Sequence, residues 1–204
     1  MENLVTLTIR STHYYLIDIG QGKLMVDTGW AGSLPAMKGQ LKRFGIELAQ
    51  IRFVMITHHH PDHAGLTQEI KHASNARLII LEKQIPYLED LKAFYAGKGG
   101  YTPIQVEAND LVLKSSNRAE LERVGVQGEI VETPGHSDDS VSLVLDTGSA
   151  FIGDLHPPDF VREEALALTC QSWKKLQRLN AGTIYPAHGA PFQLEAIQNS
   201  LDIC

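Results

Sequence analysis

The segment 51–56 most constrains the fold of this chain, because a nearly unbroken apolar run containing only Arg52 reads as a strand buried on both faces. Such a strand needs a packed layer on each side, so it belongs inside a layered domain rather than at its margin. Two residues after the run, four histidines fall within six positions, in the stretch His58-His59-His60-Pro61-Asp62-His63. The end of a buried strand is where layered folds carry their chemistry, since the loop can be shaped freely while the strand fixes its base.

The rest of the chain continues the alternation. Strand patterns at 5–9, 14–17 and 23–26 open it, the last two joined by the hairpin turn Gly20-Gln21-Gly22. Residues 1–10 alternate as a strand does, with neither the charged start nor the apolar core of a secretory leader. Leu34, Met37, Leu41 and Phe44 recur at spacings of three and four, which predicts a helix stopped by Gly45. A short helix is expected at 66–72 and strands at 77–81, 129–132, 141–145, 150–152 and 183–185. A helix over 161–179 would turn Leu168, Trp173, Leu176 and Leu179 inward, and 192–201 would form a last helix. Segment 82–101 stands apart: Ile85, Leu88, Leu91, Phe94 and Tyr95 suggest one amphipathic helix before Gly97-Lys98-Gly99-Gly100, an insertion suited to cover a site as a lid. With no linker or repeat, the expectation is one layered α/β domain over 1–204.

Charge and cysteine content narrow the function classes. A net charge of −6 argues against a dedicated nucleic-acid or anionic-membrane binder. No apolar run approaches the ~20 residues that span a bilayer. Cys170 and Cys204 belong to no C-x-x-C pair, so the expectation is a buried helix thiol, a free terminal thiol and a reducing, cytoplasmic setting.

Within the cluster, residues two apart on an extended segment point the same way, so His58 and His60 can grip one ion. Asp62 and His63, adjacent on a turn, can face a second. Imidazole and carboxylate suit zinc, and also iron or manganese. The absence of thiolate argues against a purely structural zinc site.

Thr57-His58-His59-His60-Pro61-Asp62-His63-Ala64-Gly65 resembles the signature of the metallo-β-lactamase superfamily. Four further stretches match that family's motifs in order: Val26-Asp27-Thr28-Gly29, Thr133-Pro134-Gly135-His136-Ser137, Gly153-Asp154 and Pro186-Ala187-His188-Gly189. The resemblance implies an α/β fold of four layers, an αββα sandwich of two mixed sheets flanked by helices. It implies that His58, His60 and His136 bind one metal, that Asp62, His63 and His188 bind another, and that Asp154 bridges them. Two zinc ions are the expected cofactors, with a bridging hydroxide as nucleophile and Asp62 helping to orient it. Asp27 would accept an N–H from a ligand histidine and fix its tautomer, or else serve only as a turn residue. His59 is expected to point away from the metals, and His13 and His72 to lie on the surface.

The resemblance leaves the substrate open. True β-lactamases of the family generally lack the carboxylate at the Asp154 position. Glyoxalase-type thioesterases carry a helical region after the last histidine, where this sequence has only residues 189–204. The nucleic-acid-processing branches add arms or domains, and the flavodiiron branch replaces a motif histidine and appends a flavin domain. The remaining expectation is a hydrolase of an ester, thioester or lactone bond in a small molecule, without nucleic-acid or membrane partners. Tyr95, Lys98, Tyr101 and His156 are candidate substrate contacts, and Tyr185 is expected in the core. Two alternatives stand beside it: a mononuclear iron dioxygenase acting on persulfides, and a non-catalytic metabolite-binding module on the same fold.

Overall fold

The computed structural model describes residues 4–115 and 117–204, so the strand character expected at 1–3 lies outside the described residues. The chain divides into two compact units, 1–114 and 115–204.

The first unit is built on a six-stranded mixed sheet: β1 (Leu4–Ile9), β2 (Thr12–Asp18), β3 (Lys23–Val26), β4 (Ile51–Met55), β5 (Arg77–Leu81) and β6 (Leu111–Leu113), side by side in chain order. The first three strands are joined by short turns and pair antiparallel. From β3 onward pairing is parallel, and each crossover carries helix, as parallel neighbours require. These helices are α1 (Leu34–Arg43), α2 (Pro61–Ala64), α3 (Thr67–Ser74) and α4 (Leu88–Phe94). Segment 51–56 behaves as its composition demands: β4 lies between β3 and β5, and every residue of it except Arg52 is buried. Met37 and Leu41 of α1, Ile70 of α3 and Leu91 of α4 join strand residues Leu16, Val54 and Leu78 in one core.

Segment 82–101 is not the single amphipathic helix expected. A 3-10 turn over Glu82–Tyr87 precedes α4, and Pro86 sits inside that turn, where a ring without an N–H breaks an α-helical ladder. Ile85, Leu88, Tyr95 and Tyr101 nonetheless pack against the first unit's core.

The second unit carries five strands in the order β11-β10-β9-β8-β7. They are β7 (Gly128–Glu132), β8 (Val141–Leu145), β9 (Ser149–Gly153), β10 (Thr183–Pro186) and β11 (Phe192–Gln193). All pairs are antiparallel except β9 with β10, which are parallel and joined through a 16-residue helix. The helices here are α5 (Arg118–Arg123), α6 (Glu163–Arg178) and α7 (Gln198–Leu201). Trp173 and Leu176 of α6 pack on Ile152, Leu155 and Ile184.

Three expectations are corrected here. Leu168 is turned outward, because the buried face of α6 is set by Thr169, Ser172, Trp173 and Leu176, and Leu168 lies about 100° around the helix from Thr169. Residues 192–201 are not one helix: Phe192 and Gln193 add the edge strand β11 to β10, a 3-10 turn follows, and only α7 is α-helical. Cys170 and Cys204 are not separate thiols but a disulfide, 34 residues apart in sequence, which spacing alone could not reveal. The same chain end is held by Lys174, one turn along α6, whose Nζ donates to the Cys204 carbonyl at 2.7 Å. The bond removes the ground on which a reducing compartment was expected. Among the described residues no helix is long and apolar enough to cross a membrane.

Closing a loop of this length restricts the unfolded chain by about 3–4 kcal/mol on entropic grounds. Cys204→Ser is therefore expected to lower the second unit's stability by that amount in urea unfolding without reductant. Coincident unfolding curves would show that the bond does not stabilise the fold.

Candidate metal centre

In the first unit the candidate ligands are set by the ends of β3 and β4. Asp27 follows β3 with φ +60°, and its N–H donates to Met55 O at the end of β4. That conformation suits Asp or Asn among non-glycine residues. The Asp27 carboxylate is buried and collects three donors. Thr57 N–H reaches Oδ1 at 2.7 Å, Thr57 Oγ1–H reaches Oδ2 at 2.8 Å, and His63 Nδ1 lies 2.8 Å from Oδ2. Donation from Nδ1–H leaves the lone pair on His63 Nε2, the tautomer a metal ligand needs. The backbone completes the clasp, since Thr28 and Gly29 N–H both donate to His63 O.

The loop itself is braced from two sides. Thr12 and Tyr14, two apart on β2 and both buried, reach Asp62: Thr12 Oγ1 donates to Oδ2 at 3.1 Å, and Tyr14 Oη to the backbone O at 3.2 Å. Burial pushes the Tyr14 hydroxyl well above the usual tyrosine range, so it remains a donor. From the other side Tyr95 Oη accepts Ala31 N–H at 3.3 Å and donates toward Pro61 O at 3.4 Å. Gly65 makes room for this: a Cβ there would meet Pro61 O at 2.5 Å, and Ala31 N and Tyr95 Oη at 2.6 Å. Thr12 and Tyr14 carry no sequence signal for these roles, and Thr57 only its place at the head of the histidine motif. In an alternating strand, a buried threonine or tyrosine reads as ordinary core.

In the second unit His136, Asp154 and His188 follow β7, β9 and β10, three strands of one sheet. The Asp154 carboxylate stands between the two histidines, with Oδ2 3.5 Å from His136 Nε2 and Oδ1 3.6 Å from His188 Nε2. Helix α6 anchors the loops beneath. Ser172 Oγ donates to Pro134 O at 2.6 Å, Trp173 Nε1 to His156 O at 2.8 Å, and Lys175 Nζ to Glu132 O at 2.7 Å. Gly135, at φ +149°, lies so close that a Cβ would meet Thr169 Oγ1 at 2.6 Å. None of these anchors was foreseen, because a helix face reads as apolar or polar, not as the carbonyls it will meet.

The donor set fits divalent ions. Two ligand atoms each about 2.05 Å from one tetrahedral ion lie about 3.3 Å apart. Within the first unit His58 Nε2 and His60 Nδ1 are 3.0 Å apart, and His63 Nε2 and Asp62 Oδ2 3.5 Å. The 3.5 and 3.6 Å separations around Asp154 fall in the same range, longer than a good hydrogen bond. The buried Asp27 and His63 side chains are held in place by protein groups.

The other sequence-nominated residues are placed as follows. His59 is buried, His13 is within 2.9 Å of Thr8 Oγ1, and exposed His72 is within 2.9 Å of Gln68 Nε2. Tyr101 stacks on Tyr95 at 4.4 Å between ring centroids, and exposed Lys98 sits with Nζ 3.3 Å over the Phe94 ring. The rings of Tyr95 and Tyr101 thus contact each other, Lys98 contacts Phe94, and the Tyr95 hydroxyl is engaged by the backbone of Ala31 and Pro61. His156 is exposed, with its ring centroid 6.0 Å from that of His136. Tyr185, in β10, stacks on Phe151.

The sequence pattern of the metallo-β-lactamase superfamily matches residues 7–188, and the chain belongs to that superfamily. It is 29% identical over 192 residues to an atrochrysone carboxyl ACP thioesterase of Aspergillus fumigatus, covering 90% of this chain and 38% of that protein. A β-lactamase-like protein 2 homologue of Drosophila melanogaster is 27% identical over 192 residues, covering 92% of this chain and 61% of the relative. The chain thus spans less than two thirds of the length of either. A probable metallo-hydrolase of Methanocaldococcus jannaschii is 27% identical over 194 residues, covering 88% of each chain. Among solved structures, a metallo-β-lactamase family protein of Thermus thermophilus aligns with a TM-score of 0.72 at 22% identity, over 99% of this chain and 77% of that one. A metallo-β-lactamase of Legionella gormanii aligns with a TM-score of 0.71 at 22% identity, over 91% of this chain and 76% of that one. These likenesses carry the fold: two mixed sheets flanked by helices, the metallo-β-lactamase fold.

Proposed function

We propose that this protein is a metal-dependent hydrolase of an ester, thioester or lactone bond in a small molecule. In this reading, which follows the family's motifs, His58, His60 and His136 hold one ion, Asp62, His63 and His188 hold the second, and Asp154 serves both. The observation that supports it best is the donor spacing inside each unit, 3.0 to 3.6 Å among imidazole nitrogens and carboxylate oxygens. The names thioesterase and metallo-hydrolase among the relatives support the bond class. An all-nitrogen-and-oxygen donor set favours zinc, with iron and manganese as competitors. When bound, such a pair of ions polarises a carbonyl and lowers the pKa of water toward neutrality.

The chain's own residues then have distinct tasks. Asp27 fixes the His63 tautomer through Nδ1. Thr12 ties Oδ2 of Asp62, so the carboxylate keeps one orientation from which to direct the attacking water. The braces on Pro61 and Asp62 hold that geometry against thermal spread.

The test is hydrolysis of a panel of simple esters, acyl thioesters and lactones by protein of known metal content. Turnover of at least one class is expected, lost on chelation and restored by zinc. Silence across the panel with both ions bound would refute the hydrolase reading, and oxygen uptake with a persulfide by protein holding one iron would replace it.

A further inference from the structure

A cavity of about 140 Å³ opens in the second unit beside Asp154 and His188. Its apolar lining comes from Ile152, Leu155, Pro157, Pro186 and Phe192, and among the described residues that line it none is lysine or arginine. Apart from Asp154, His156 and His188 its lining offers no charged or titratable side chain, so an apolar group finds more partners there than a charged arm does. Its size is that of a single small apolar group. An engineered apolar cavity of about 150 Å³ takes up benzene, and 140 Å³ corresponds to about four or five groups of water size.

The walls are fixed before any ligand arrives. Ile152 and Leu155 are buried, the strip they frame is pinned by Trp173 Nε1 donating to His156 O, and Phe192 is held in register opposite Ile184 in the β10–β11 pair. A preformed, largely apolar recess with polar groups at one end is the usual form of a small-molecule subsite.

Resting on the hydrolase reading above, we propose that this cavity receives the apolar substituent on the acid side of the substrate, a straight chain of about four or five carbons or one phenyl ring. The cavity then selects the acyl group, while any charged or extended leaving arm lies outside it. Phe192 and Ala190, which also line it and are not among the candidate metal ligands, are the specificity-determining residues of this proposal.

Binding of a carboxylate series, from acetate to octanoate with phenylacetate, to the protein as purified tests this by calorimetry or NMR titration. Affinity should rise about two- to fourfold per methylene up to pentanoate and then level off, with phenylacetate on the plateau. Ala190→Phe, at an exposed position, should erase the rise and leave acetate unchanged. Phe192→Ala should carry the rise on to longer chains. A flat series, no carboxylate binding, or a rise untouched by both variants would overturn the proposal. A rise that obeys both variants in a protein inactive on the hydrolase panel would keep the cavity and reject the hydrolase reading. Turnover that ignores chain length and both variants would do the reverse.

Discussion

Asp154→Ala is expected to strip both ions from the purified protein and to lower hydrolysis by more than about a hundredfold, beyond the 10–100-fold typical of residues that merely orient ligands. The carboxylate stands at 3.5 and 3.6 Å from two imidazoles that follow different strands, so its loss removes a donor from each proposed ion at once. It also leaves Asp62 as the one carboxylate among the proposed ligands to balance bound cations. His188→Ala, by contrast, removes a donor from one ion only. The two variants therefore differ in metal count: none for Asp154→Ala, one for His188→Ala. Full occupancy with near-normal turnover in Asp154→Ala would remove the shared role from this residue.

The second large effect is expected at Asp27. Asp27→Ala deletes the acceptor of three buried donors, Thr57 N–H, Thr57 Oγ1–H and His63 Nδ1–H, and should cost about 3–5 kcal/mol of stability in urea unfolding. Asp27→Asn is the sharper variant. Asparagine adopts the φ +60° conformation as readily as aspartate, so a residue needed only for the turn would be replaced without loss. A residue needed to hold the His63 tautomer would not, because an amide presents one oxygen and two donors where the carboxylate presents two oxygens. We expect Asp27→Asn to weaken metal binding about 10–100-fold. Unchanged metal affinity in that variant would return Asp27 to the role of a turn residue.

The elements that the sequence announced are those whose local pattern and tertiary role agree. Segment 51–56 is apolar but for Arg52 because it lies mid-sheet, and Arg77–Leu81 reads as a strand and is one. Apart from the break at Pro86, the misreadings share one cause, a local pattern overruled by a partner distant in sequence. Phe192 and Gln193 look helical until β10 offers an edge to pair with. Leu168 looks inward until Thr169 and Ser172 are drawn to the loop before His136. Cys170 and Cys204 look unrelated until the chain end returns to α6. Strand β6 and helix α5, with three and six residues, are too short to leave a periodic trace.

The candidate site divides along the same line. Metal-ligand chemistry is restricted to few residue types, so His58, His60, Asp62 and His63 could be nominated from the run itself, and His136, Asp154 and His188 from the resemblance to the family's motifs. Their supports could not be. Thr12, Tyr14, Ser172 and Trp173 act by reaching one atom of a distant loop, and any buried threonine, tyrosine, serine or tryptophan could do as much. Tyr95, a conspicuous residue next to a glycine-rich stretch, likewise has backbone partners at Ala31 and Pro61 that its sequence position does not announce.

The most direct test of the central claim is the metal content of the intact protein, weighed by native mass spectrometry after purification without chelators and again after titration with zinc. The donor set described here predicts saturation at two ions per chain. Saturation at one ion, or none retained at micromolar zinc, would contradict a two-metal hydrolytic centre.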